Sequence, residues 1–179
     1  YNQYLNEFIT FYDGLFNSEY KEVQDDLTYI LMMGLIGRPI RPFPVFNGKG
    51  SNGKSVLFNI FNLVLTDTYF HTLSGNDIQI ELSGGGANPN FSQLDKKRFC
   101  VFRESGEETI INLATMKQLS EDSIQARALY SNETTIINSC NYVIMTNDKP
   151  KIIQTGIDTS LISRIKDIYL PNTFMNEEE

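Results

Sequence analysis

No run of eighteen apolar residues occurs in the chain, which excludes a membrane-spanning helix. The chain also lacks a leader of basic, apolar and small residues, and it opens on Tyr1 rather than Met. It is therefore expected to be a piece of a longer protein that is not secreted. Histidine and cysteine are scarce, with one His and two Cys. That excludes a zinc constellation. Cys100 and Cys140 each sit in an apolar run and are expected to be reduced core thiols. Excess basic charge is missing as well. The net charge is −7 and the pI about 4.8, unlike a protein that coats DNA along its whole surface. Any nucleic acid must then be held locally, by a few residues on loops. The pore of a ring meets that demand, because copies of one small loop converge there.

What is present suits one α/β domain with a sizeable core: 179 residues, 41% of them hydrophobic. Residues 3–12 read as a short helix ended at Asp13-Gly14. Ser18 to Ile36 reads as a second, with Tyr20, Val23, Leu27, Ile30, Leu31 and Gly34 on one face, Asn17 or Ser18 as N-cap and Gly37 as stop. Three prolines make Arg38 to Pro44 an extended connector. The expected division is a helical lead-in over residues 1–40 and a core over 41–179. In the core, Val45-Phe46-Asn47, Arg98 to Arg103, Asn141 to Thr146 and Ile165 to Leu170 read as strands. Lys54 to Leu65 and the shorter 112–119 and 158–163 read as helices. Residues 124–138 read as a β-hairpin turning at Ser131-Asn132. Alternating strands and helices predict a mainly parallel sheet covered on both faces.

The strongest motif is Gly48-Lys49-Gly50-Ser51-Asn52-Gly53-Lys54-Ser55, which fits G-x-x-x-x-G-K-[ST] between a strand and an apolar helix. Glycines let successive N–H groups turn toward phosphate oxygens, and the following helix start adds positive potential. The expected nucleotide cradle runs from Gly48 through Val56. Lys54 would reach the β- and γ-phosphates of ATP, and the Ser55 hydroxyl would ligate Mg²⁺.

Three further residues complete the expected site. Glu104 ends the apolar run Phe99 to Phe102, where a carboxylate would orient Mg²⁺ or polarise an attacking water. Glu107 and Glu108 lie beyond the strand and are the weaker choices. Asn147 ends another strand and offers an amide to hold that water and sense the γ-phosphate. Arg164 stands alone in Leu161-Ile162-Ser163-Arg164-Ile165, and could serve as an arginine finger in a neighbouring subunit's site or in an ordinary salt bridge.

The ordered set GKGSNGKS (48–55), KRFCVFRE (97–104), MKQLSEDSIQARALY (116–130), IMTNDKP (144–150) and LISRIKDIYLP (161–171) resembles superfamily 3 helicases. The likeness is to the primase-helicases of poxviruses, other large DNA viruses, satellite phages and related plasmids. The resemblance implies an AAA+-like P-loop core in which Gly48 to Ser55 are Walker A, Glu104 the Walker B acid, Asn147 the motif-C sensor and Arg164 the finger. It implies hexameric rings that use ATP and Mg²⁺ to translocate on single-stranded DNA inside the infected cell, in the cytoplasm or at a viral replication site. It also implies a covalently linked primase domain outside this excerpt. Three positions depart from the pattern: Ser120 and Glu121 replace a glycine pair, and Arg103 stands where some relatives carry a second acid.

For DNA contact the candidates are Lys117, Arg127, Tyr130 and Asn132. The cations would grip phosphate, and Tyr130 could stack on a base. A small-molecule kinase fits poorly, because only six arginines are present and they are dispersed. An ATP-binding assembly or DNA-binding module with little hydrolysis, or a loader-type ATPase, is the alternative reading.

Overall fold

The computed structural model describes residues 2–80, 89–104, 109–126, 134–153 and 159–174. Its centre is a five-stranded, all-parallel sheet. The strands are β1 (Phe43–Asn47), β2 (Phe70–Ser74), β3 (Phe99–Arg103), β7 (Asn141–Met145) and β9 (Ile165–Tyr169), in the order β2-β3-β7-β1-β9. Two small sheets accompany it. β4 (Ile110–Asn112) pairs in parallel with β8 (Lys151–Ile153), and β5 (Ser123–Ala126) pairs antiparallel with β6 (Thr134–Ile137). The hairpin read from the sequence is thus present, and the turn expected at Ser131-Asn132 lies outside the described residues.

Strand residues alternate between two apolar cores, so the strands read as continuous hydrophobic runs. Val45, Cys100, Phe102, Tyr142 and Ile144 face one core, with α5 (Leu113–Leu119), α4 (Pro89–Ser92) and the hairpin. Phe46, Phe99, Val101, Val143 and Met145 face the other, with α2 (Lys21–Ile36) and α3 (Lys54–Tyr69). Leu27, Ile30, Leu31 and Gly34 are the buried residues of α2, one stripe at helical spacing. A Cβ on Gly34 would lie 2.2 Å from the Phe99 ring, so the missing side chain sets how closely α2 approaches β3. Gly37, at φ 69, caps α2 in the left-handed conformation. α1 (Asn2–Gly14) has no buried residue of its own, although Phe11 and Tyr12 pack against the second core.

The proline-rich connector is fixed by one buried side chain. Asn141 accepts from the Ile40 amide at 2.8 Å and donates to the carbonyls of Arg38 and Arg98 at 3.1 and 3.2 Å. Phe43 and Pro44 join β1 rather than the connector. α3 is regular to Leu65, and Thr66 then leaves helical geometry at φ 56, ψ 176. Among the described residues, no helix is long and apolar enough to cross a membrane.

Candidate functional site

Three strands deliver the candidate residues to one end of the sheet. β1 runs into Gly48, β3 ends at Arg103-Glu104, and β7 ends at Thr146-Asn147. These are carboxyl ends of parallel strands, where the crevice of an open α/β sheet lies. Lys54, Ser55, Arg103, Glu104, Met145, Thr146 and Asn147 line a single cleft of about 180 Å³ there. The sequence-predicted residues Lys54, Ser55, Glu104 and Asn147 are thereby brought together.

The loop before α3 is shaped by main-chain constraints. Gly48, Ser51 and Gly53 have φ values of 139°, 61° and 85°. A Cβ on Gly48 would come within 2.7 Å of the Leu170 carbonyl oxygen, and one on Gly53 within 2.7 Å of the Leu15 side chain. Both positions therefore demand glycine twice over, for torsion and for space. Gly53 supplies no side-chain cap to α3. Lys49, Gly50 and Ser51 are exposed at the crest of the loop, and Ser55 and Val56 are exposed on the first turn of α3.

Lys54 is only 6% exposed. Its ammonium donates to the Gly48 carbonyl at 2.6 Å and to Asn52 Oδ1 at 3.0 Å. Burial lowers its pKa, and the nearby Glu104 carboxylate opposes that shift. The Asn52 side chain is buried, and its Nδ2 has no acceptor among the described residues. Neither has the buried Nε of Arg103, whose Nη2 donates to Asn59 Oδ1 at 2.8 Å. Buried donors of this kind normally have partners. A loop and cleft with donors left over is complementary to a ligand made of acceptor oxygens, such as a phosphate chain.

Across the cleft, Glu104 is half-buried and accepts from the Asn147 amide, Oε2 lying 2.8 Å from the nitrogen. No group of three or more His, Cys, Asp or Glu that could hold a metal occurs among the described residues. The donors at hand for a divalent cation are the Glu104 carboxylate and the Ser55 hydroxyl. That sparse set fits Mg²⁺, which is usually held by one or two carboxylates together with substrate phosphates.

The remaining candidates lie elsewhere. Arg164 precedes β9, and its carbonyl accepts from the Phe43 amide at 2.7 Å. It is therefore at the opposite end of the sheet from Gly48, roughly 16 Å away at strand rise. There it lines a cavity of about 260 Å³ with Arg41, Glu121, Asp122 and Asn138. Lys117 is exposed on α5. Arg127, Tyr130 and Asn132, like Glu107 and Glu108, lie outside the described residues.

Sequence reasoning noted Arg103 only as a departure from a pattern. Strand alternation was the available signal: Phe99 and Val101 face α3, so Arg103 does too. It also missed the strap that follows β9. The Phe174 amide donates to the Ser51 carbonyl at 2.7 Å, and its ring lies tilted against that of Phe11, centroids 5.6 Å apart.

Residues 46–164 match a family described as a family of unknown function, DUF5906. The chain is similar to Primase D5 of Fowlpox virus (strain NVSL), at 24% identity over 91% of this chain and 20% of that protein. The fold is similar to the A form apo structure of the NrS-1 C terminal region, with a TM-score of 0.62 at 16% identity. That match covers 94% of this chain and 38% of the other. A further apo structure of the NrS-1 C terminal region aligns with a TM-score of 0.59 at 17% identity, over 90% of this chain and 37% of that one. The chain thus spans about a fifth of its viral relative and under two-fifths of the solved chains.

Proposed function

The chain belongs to the DUF5906 family, and from the geometry of its cleft we propose that it is the ATP-hydrolysing motor core of a superfamily 3 DNA helicase working in replication. The observation that carries this reading is the convergence of Lys54, Ser55, Glu104 and Asn147 on one cleft beside the glycine loop. The likeness to a viral protein called Primase D5 supports a place in DNA replication.

In this reading the loop amides from Gly48 through Val56 and the Lys54 ammonium hold the phosphates of ATP. Ser55 and Glu104 hold Mg²⁺, which neutralises charge on the β- and γ-phosphates. Glu104, kept in place by the Asn147 amide, orients and polarises the attacking water. The Asn147 side chain contacts the γ-phosphate end of the site. Lys54 exchanges its bonds to Gly48 and Asn52 for phosphate oxygens, so the ligand repays the cost of holding a cation in a buried place.

Arg164 cannot serve the cleft of its own chain, because the whole length of β9 separates them. It serves the site of the next copy in a homo-oligomeric ring, a hexamer by resemblance. Single-stranded DNA is held by the hairpin region, with Lys117 on the preceding helix and Arg127, Tyr130 and Asn132, which fall between β5 and β6 in the sequence, as its contacts. A primase domain belongs to the rest of the protein.

The test is ATP turnover with and without single-stranded DNA, for the chain and for Lys54→Ala. Turnover that depends on Lys54 and rises with DNA is expected; turnover untouched by the substitution would end the proposal. One observation favours a second reading, a nucleotide-binding assembly module or loader-type ATPase with little hydrolysis. Among the described residues, the cleft is lined by one carboxylate and two cations, a balance suited to retention. Tight ATP binding with negligible turnover, even in the full-length protein with DNA, would select it.

A further inference from the structure

Arg103 closes β3 in register with Ser74 of β2 and Met145 of β7. Its side chain leaves the sheet on the α3 side, where Nη2 donates to Asn59 Oδ1 at 2.8 Å. Asn59 lies one helical turn beyond Ser55. The guanidinium therefore stands beside the first turn of α3, on the wall of the cleft that Lys54, Ser55, Glu104 and Asn147 also line. Its Nε is buried without an acceptor among the described residues. A guanidinium is always charged and presents five donors in a planar fork that matches phosphate oxygens. Asn59 engages one nitrogen of the fork and leaves the other donors for a ligand.

We infer that Arg103 binds the terminal phosphoryl group in cis, so that each chain by itself distinguishes a nucleoside triphosphate from a diphosphate. The inference rests on the nucleotide reading above. Lys54, beside the loop, grips whatever phosphates are present. Arg103, at the strand tip next to Glu104, meets the one that a diphosphate lacks. The distinction needs no neighbouring subunit, unlike the role assigned to Arg164.

The experiment is equilibrium binding of a non-hydrolysable ATP analogue and of ADP, both with Mg²⁺, to the full chain and its variants. Arg103→Gln should weaken the analogue by roughly tenfold to a hundredfold, as expected for loss of charge-assisted hydrogen bonds, and leave ADP within about twofold. Arg103→Lys, which keeps the charge and disturbs folding less, should keep part of the preference for the analogue. Asn59→Ala should largely preserve that preference. Equal losses for both nucleotides, or no loss in either, would overturn the inference. So would an Asn59→Ala variant that behaves like Arg103→Gln, since Arg103 would then act as a strut for α3. A wild-type chain that binds neither nucleotide would defeat the underlying reading, and this inference with it. Binding of both nucleotides without selective loss in Arg103→Gln defeats the inference alone.

Discussion

The Asn147 amide donates to Glu104 Oε2 at 2.8 Å, linking the tips of two neighbouring parallel strands. The bond fixes the carboxylate's direction without spending a side chain. If Glu104 polarises water, Glu104→Gln should lower ATP turnover by about a hundredfold or more, the usual range for a general base. Nucleotide affinity should persist. Single-turnover hydrolysis beside equilibrium binding checks this; turnover within a few-fold of wild type would remove Glu104 from the chemistry.

Burial lowers the Lys54 pKa, with Glu104 opposing. The folded value thus lies below that of an unfolded lysine. Between the two values the unfolded chain holds more protons, so stability gains as pH rises through that window. Phosphate binding runs the other way, because it needs the ammonium. Triphosphate affinity should therefore be flat near neutrality and fall on the alkaline side before an ordinary lysine would titrate. Binding titrations over that range, with Lys54→Arg as the non-titrating comparison, test the point. Identical profiles for the two proteins would refute it.

Gly34→Ala should be costly although alanine is the better helix former. The added Cβ would lie 2.2 Å from the ring of Phe99, which is fully buried and stacked on Phe70. Relieving that overlap means shifting α2 or β3, a loss of about 1–3 kcal/mol. Denaturant melts measure it, and a gain in stability would show that the contact between α2 and the sheet is looser than described.

Asn138 holds the root of the hairpin. Its Nδ2 donates to the carbonyls of Leu119 and Glu121 at 2.6 and 2.9 Å, while its Oδ1 accepts from the Tyr142 hydroxyl at 2.9 Å. Asn138→Ala strands these partners, and a loss of about 1–3 kcal/mol is expected. Hydrogen exchange should speed selectively in β5 and β6. Unchanged protection there would mean that the strand pairing alone secures the hairpin.

Arg164→Ala should leave nucleotide affinity intact and cut turnover by about a thousandfold or more, in the range of arginine fingers. Mixing it with Lys54→Ala should restore part of the activity, since some interfaces then combine an intact cleft with an intact arginine. A mixture no more active than its components would place Arg164 in a structural role.

Much of this arrangement is legible in the residues. The stripe from Leu27 to Gly34 announces α2, and the apolar runs ending at Arg103 and Met145 announce two central strands. β2 was not legible. It begins just past the kink at Thr66, lies at the sheet edge and buries only Phe70 and Leu73. Such a half-exposed segment has neither a helical stripe nor a continuous apolar run. β4 and β8 have three residues each, and β8 is fully exposed, so periodicity had nothing to act on. In the cleft, Lys54 and Glu104 follow from motif and strand-end position. The buried amide of Asn52 does not, because the loop pattern accepts any residue there.

The strap after β9 grips the glycine loop at Ser51, while Asn172 Nδ2 reaches the Gly14 carbonyl at 2.9 Å and Leu15 presses on Gly53. One short stretch of backbone is thus sewn to segments from both extremities of the chain. A shift of that backbone would tug two handles at once, the end of α1 and the strap after β9.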